Sequence, residues 1–321
     1  MVLYNGFITI GENVSKAAIA FTTATTDLAL PHFASMPGIR HQWKGSFRLV
    51  SWNVNADAPL PRSRMSALLE VIKTTGAAKV IFLQEVSKKA LTELLEDPWI
   101  QRNWYTSNVD HSAFRIQKFI SVTLVSRGWV ATHGILLGAL WRISLPSRFI
   151  RDALCCDMIF NSSTNNTSGR GSTRIRLINV HLDSLPINPS LRPYQLSICS
   201  SYLSTAGRGI VAGDFSPVLP EDDDLVRTYD LTDAWTCLHP NDAGHTWGVY
   251  GEHVFPPNRF DKVALFNLTP SAMHILQTSE VEIYGEKMSV GGIELIEKVH
   301  FSDRFGVSCE VRWDEDRAQS E

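Results

Sequence analysis

Val80-Ile81-Phe82-Leu83-Gln84-Glu85 is a short apolar run that ends in a carboxylate. A continuous apolar run of this length reads as a strand buried on both faces, with Glu85 at its tip. The same design recurs along the chain. Phe47-Arg48-Leu49-Val50-Ser51-Trp52-Asn53 alternates toward Asn53, residues 173–182 carry His181 near their end, and Gly209-Ile210-Val211-Ala212-Gly213-Asp214 closes on an acid. Asp303 follows after a later loop. One acid at a strand end is usually a cap or a turn residue. Five polar groups at successive strand ends say more, because the strand ends of a packed sheet system converge at one edge and can share a site.

Helical patterns lie between these strands. After Pro61, residues Met65, Leu68, Leu69 and Ile72 keep the spacing of an amphipathic stripe, and Gly76 supplies a stop. Residues 89–95, ending before Pro98, and 192–203, with Tyr194, Ile198 and Tyr202 on one side, are read as further helices. Strands are predicted at 119–126, 129–132, 153–161, 260–266 and 306–313. Residues 162–172, rich in Ser, Asn, Thr and Gly, suit a hairpin loop or a short flexible insert. Many strands with few helices predict a single α+β domain over residues 47–313, with two β-sheets and helices outside. Residues 1–46, broken by Pro31, Pro37 and Gly38, are read as an N-terminal arm of unassigned role, and 314–321 as a polar tail.

Composition narrows the classes. The formal net charge of −3 argues against a broad polyanion binder, which would carry a strongly basic face. Five cysteines without a CxxC pair favour reduced thiols over a disulfide framework or a zinc site. No apolar run is long enough to span a bilayer, and residues 17–21 lack the charged start and cleavage pattern of a signal peptide. The expectation is a soluble, intracellular monomer, cytoplasmic or nuclear, without membrane contact. Asn, Glu and Asp together suit a hard cation such as Mg²⁺, which withdraws charge from a phosphoryl group.

Six motifs then stand in order: Ser51-Trp52-Asn53, Leu83-Gln84-Glu85-Val86, Asn179-Val180-His181-Leu182-Asp183-Ser184, Gly213-Asp214-Phe215-Ser216, Asn258-Arg259-Phe260-Asp261-Lys262-Val263 and Ser302-Asp303-Arg304-Phe305-Gly306. Over about residues 47–313 they resemble the endonuclease/exonuclease/phosphatase superfamily. Arg192, Gln195-Leu196, Asp233-Ala234-Trp235 and Thr246-Trp247 point to its 5′-tyrosyl-DNA phosphodiesterase branch. The resemblance implies a DNase I-like, four-layered α/β sandwich whose two packed, mostly antiparallel sheets are flanked by helices. It also implies Mg²⁺, or Mn²⁺, held by Glu85, Asp303 and Asn53. Asp214 would orient or deprotonate the attacking water, His181 would donate to the phosphate with Ser184 nearby, and Asp261 would orient a second histidine. The implied substrate is a phosphorylated small molecule or a nucleic-acid end.

Two positions depart from the pattern. Ser216 stands where the family has Asn, and Arg304 where it has His. Arg is always charged and cannot shuttle a proton. Arg304 could replace the histidine as a charged donor, could end a proton-dependent activity, or could pair with Asp261 and close part of the pocket. The rival functions are a repurposed enzyme acting on a small molecule and a non-catalytic binding relative. Trp247 and Tyr250 either stack on a base or an aromatic leaving group, or pack in the core. The acidic run 221–224 is read as a solvated loop, and Lys88-Lys89 as helix surface.

Overall fold

The computed structural model describes residues 2–4, 44–114, 117–161, 172–251, 254–283, 289–290, 293–294 and 297–314. Most of the N-terminal arm, the C-terminal tail and nearly all of the 162–172 loop lie outside these residues. The strands are β1 (Val2–Tyr4), β2 (Lys44–Asn53), β3 (Ala78–Ser87), β4 (Trp104–Thr106), β5 (Phe119–Ser126), β6 (Leu136–Ser144), β7 (Asp152–Asn161) and β8 (Ser172–His181). They continue as β9 (Gly209–Asp214), β10 (Thr232–Asp233), β11 (Asp261–Phe266) and β12 (Thr269–Leu276). Two small hairpins, β13 (Glu280–Ile283) with β16 (Glu297–His300) and β14 (Ser289–Val290) with β15 (Ile293–Glu294), precede β17 (Gly306–Asp314).

One sheet has the order β1-β6-β7-β8-β9-β11-β10 and the other β12-β17-β2-β3-β5-β4. Only β8–β9 and β2–β3 pair in parallel among the described strands. Between the sheets lies a core containing Leu49, Phe82, Leu177, Ile210, Val263 and Val311. Helices α1 (Pro61–Thr75) and α2 (Lys88–Glu96) cover the outer face of the second sheet, packing Met65, Leu69 and Leu91 against Val50, Trp52 and Ile81. The outer face of the first is covered by the helix Arg192–Ala206, through Leu196, Cys199 and Leu203. Helix, sheet, sheet and helix make the four layers expected from the sequence.

The predicted strand at 129–132 is instead a helix, Arg127–His133. Ser126 Oγ accepts from the Trp129 amide at 3.3 Å, and Gly134 at φ 58° ends the turn. Four residues are too few for the apolar period to decide, whereas a cap at each end does. No helix among the described residues is long and apolar enough to cross a membrane.

Candidate active site

The pairing of β3 with β5 slips between Leu83 and Val86, and Glu85 sits in the slip at φ 56°. A bulge of this kind re-aims one side chain, at a strain on the order of 1–3 kcal/mol. Glu85 Oε1 accepts from Asn53 Nδ2 at 2.9 Å and Oε2 from the Ala56 amide at 3.1 Å. Asn53, last on β2, also donates to Asp214 Oδ2 at 2.9 Å. In register, His181 and Asp261 both stand opposite Asp214 on the flanking strands β8 and β11. His181 Nε2 lies 3.5 Å from Asp214 Oδ2 and 3.7 Å from Glu85 Oε1. The strand ends thus bring these groups within contact distance of one another.

Arg304 enters this cluster from the loop before β17. Trp52 Nε1 donates to its carbonyl at 2.9 Å, and its amide donates to Ser302 Oγ at 3.1 Å. The guanidinium lies 4.6 Å from the centre of the Phe260 ring. Nη1 is 3.2 Å from Asp214 Oδ2 and 4.0 Å from Asp261 Oδ2, and Nε is 3.8 Å from Asp303 Oδ2. Arg304 thus joins the carboxylates, nearer to Asp214 than to Asp261. Its buried Nε and Nη1 make no hydrogen bond with any described residue.

These contacts split the two fully buried acids. Burial alone would push the Asp214 carboxyl up, but Arg304, His181, Ser216 and Asn53 together bring it down to about 2. Burial and the neighbouring Asp214 charge push Asp261 well above the carboxylate range, although Thr246 Oγ1 donates to it at 2.7 Å. One guanidinium lies nearer to one acid than to the other, and the proton affinities of the two diverge.

Ser216, at φ 41°, spends both its amide (2.9 Å) and its hydroxyl (2.7 Å) on Asp214 Oδ1. Its hydrogen-bond donors therefore position the acid. His181 is held neutral: burial, then Arg151, lowers its pKa to about 3. The imidazole stacks on Phe119 with ring centres 5.7 Å apart, and Ser184 Oγ lies 3.4 Å from Nε2.

Arg151 carries no sequence signal, because residues 146–151 match none of the motifs. Its guanidinium rests on Phe119 (5.1 Å) and Phe149 (5.5 Å), and Nη2 donates to Ser184 Oγ at 3.2 Å. Its Nε is buried without a hydrogen-bond partner among the described residues. A cleft of about 270 Å³ opens here, lined by Lys118, Phe119, Arg148, Phe149, Arg151 and His181. The loop bearing both arginines hangs on Asp183, whose Oδ2 accepts from the Arg148 amide at 3.0 Å and whose Oδ1 accepts from Gln195 Nε2 at 2.9 Å. Arg192 donates to the Asp183 carbonyl at 2.7 Å and to Asp222 Oδ2 at 2.9 Å. The solvated-loop reading of 221–224 therefore fails at Asp222, which is fully buried as the counterion of Arg192.

Trp247 is half-buried and stacks on Phe260 (4.9 Å), the ring beneath Arg304. Tyr250 stacks on His300 (4.0 Å). Both aromatics have partners in the fold.

The chemistry of the donor set fits a divalent cation. Glu85, His181 and Asp214 offer ligand atoms that all lie within 4.8 Å of one another. Burial, with a further push from Asp214, raises the Glu85 carboxyl, and a cation beside it would relieve that penalty. Among the neighbouring acids Glu85 acts most weakly on Arg304.

No family model matches the chain, and no curated protein sequence matches it. Solved structures do. TDP2 of D. rerio, crystallised with a single-strand DNA product, aligns at 19% identity over 83% of this chain and 98% of its own, with a TM-score of 0.60. An endonuclease/exonuclease/phosphatase family protein from Bacteroides thetaiotaomicron aligns at 14% identity over 88% and 100%, also at 0.60. A mannosyl-6-phosphatase from the same organism aligns at 13% identity over 83% and 99%, at 0.56. The chain thus has the DNase I-like fold of the endonuclease/exonuclease/phosphatase proteins, as the order of its motifs implies.

Proposed function

We propose that the protein is a metal-dependent phosphoester hydrolase in which water attacks phosphorus in line. One observation carries the reading: two arginines, Arg151 and Arg304, flank Glu85, His181 and Asp214 with buried N–H groups that no described residue accepts. Buried donors without acceptors are costly, and the oxygens of a phosphoryl group would satisfy them. Glu85 and Asp303, assisted by Asn53, would hold Mg²⁺ or Mn²⁺, because hard oxygen donors suit these ions. The bound ion would supply charge withdrawal from the phosphoryl group.

The residues divide the remaining work. Asp214, ionised and fixed by Asn53 and Ser216, orients the water. Its low pKa makes it a weak base, so positioning outweighs proton removal. Neutral His181 brings one ring N–H to the phosphate, and Arg304 and Arg151 stabilise charge on the phosphoryl oxygens. Asp261 holds the far side of Arg304. Neither His181 nor Arg304 can readily protonate a leaving group near neutral pH. The site therefore favours leaving groups that depart as stable anions, such as phenolates.

The neighbours support this reading, since their names describe a DNA-product complex in one case and a sugar phosphatase in another. Purified protein with Mg²⁺ is expected to release p-nitrophenol from the p-nitrophenyl ester of thymidine 5′-monophosphate, and tyrosine from a 5′-tyrosyl oligonucleotide. Equal turnover by Glu85→Ala would overturn the assignment. A phosphorylated small molecule stays within the proposal, and substrate profiling of aryl against alkyl esters separates the classes.

A further inference from the structure

The side chain after Asp261 belongs to the other side of the sheet. On β11, Val263 and Leu265 join the core between the sheets and Ala264 the outer core, so Lys262 alternates to the outer face. Lys262 is 6% exposed, and its side chain forms no hydrogen bond or ion pair with any described residue. It lines a cleft of about 240 Å³ together with Pro217, Asp223, His245, Asn258 and Arg259. The Asp233 carboxylate nearby is taken up by Arg259, which donates to both of its oxygens at 2.9 Å. One wall is set by Asn258, whose Nδ2 donates to the Pro217 carbonyl at 2.9 Å, next to the Ser216 turn.

The side chain is largely buried and its ammonium has no acceptor among the described residues, a combination that favours a counter-anion in the cleft. Burial, then the Arg259 charge, lowers the Lys262 pKa to about 8 against the opposing pull of Asp233, Asp223 and Asp222, which still leaves the amine mostly protonated at neutral pH. An anion would relieve both penalties together. We propose that this cleft is a second ligand site, in which Lys262 Nζ binds a phosphate-type oxyanion on the face of the sheet opposite the carboxylate cluster. The oxyanion is either free phosphate or a phosphate group of a nucleic-acid strand. The inference does not rest on hydrolysis at the first site.

Dialysed full-length protein is pulse-acetylated with acetic anhydride, and Lys262 acetylation is measured by mass spectrometry against the exposed Lys88 and Lys89. Inorganic phosphate should slow Lys262 alone, by about tenfold at ten times the dissociation constant. Protection by a 5′-phosphorylated oligonucleotide at lower concentrations than phosphate assigns the strand as the source; protection by phosphate alone assigns the free ion. In calorimetric titration Lys262→Met should lose one phosphate-binding event while retaining phosphoesterase activity. Labelling unaffected by both probes, or a Lys262 that stays unreactive while Lys88 and Lys89 label, overturns the site. The labelling arm uses wild-type protein, so it decides the matter even where Lys262→Met fails to fold.

Discussion

Arg304→Met keeps most of the side chain's length and removes its charge. Asp214, fully buried, then loses the cation 3.2 Å away that does most to keep it ionised. Breaking a buried ion pair from one side costs about 3–5 kcal/mol. In a chain of this size that corresponds to a melting temperature lower by about 4–9 °C. Guanidinium chloride unfolding, followed by tryptophan fluorescence, measures the loss. The sign with pH follows from Asp214, whose folded pKa lies below its usual 3.8. Its contribution is present in full above that value and disappears as pH falls toward about 2, so the gap between wild type and Arg304→Met should close over that window. The double variant Arg304→Met/Asp214→Asn should recover most of the loss, because the stranded charge is gone. An Arg304→Met protein within about 0.5 kcal/mol of wild type, or an equal penalty in the Asp214→Asn background, refutes the ion-pair account.

Four further outcomes are expected. Glu85→Gln should stabilise the metal-free protein at pH 7, since a carboxyl whose pKa is raised on folding costs stability once ionised, and it should abolish the effect of Mg²⁺ on the melting temperature. Wild type should lose stability on acidification between pH 6.5 and about 3, where the unfolded chain protonates His181 and the folded one does not; His181→Asn should reduce that slope by close to one proton in acid titrations of unfolding. Arg151→Met should raise KM for phosphoester substrates more than it lowers the melting temperature, as read by steady-state kinetics beside thermal denaturation. The Ser216→Asn/Arg304→His pair tests whether the site has merely decayed: phosphodiesterase assays should then show a large gain, and a loss would indicate tuning to another substrate.

The order of strands and the identity of the acids were legible along the chain because each strand closes on its own polar residue. Local sequence decides that Glu85, His181, Asp214 and Asp303 stand near strand ends, and two-residue alternation decides which side chains enter the core; the bulge that turns Glu85 within β3 is a feature of the pairing. The apolar period alone could not decide the helix at Arg127–His133, where four residues are too few and the capping serine and glycine set the outcome. Nor could local sequence reveal Arg151 or the burial of Asp222, since both depend on partners distant in sequence, the Phe119 ring and the Arg192 guanidinium. The division of labour between Asp214 and Asp261 is likewise a tertiary property. Two carboxyls on adjacent strands acquire opposite proton affinities only because one guanidinium, arriving from a loop far along the chain, lies closer to one than to the other. Spacing along a sequence encodes which groups reach an edge; electrostatic energy depends on ångström distances that exist only after the sheets have packed.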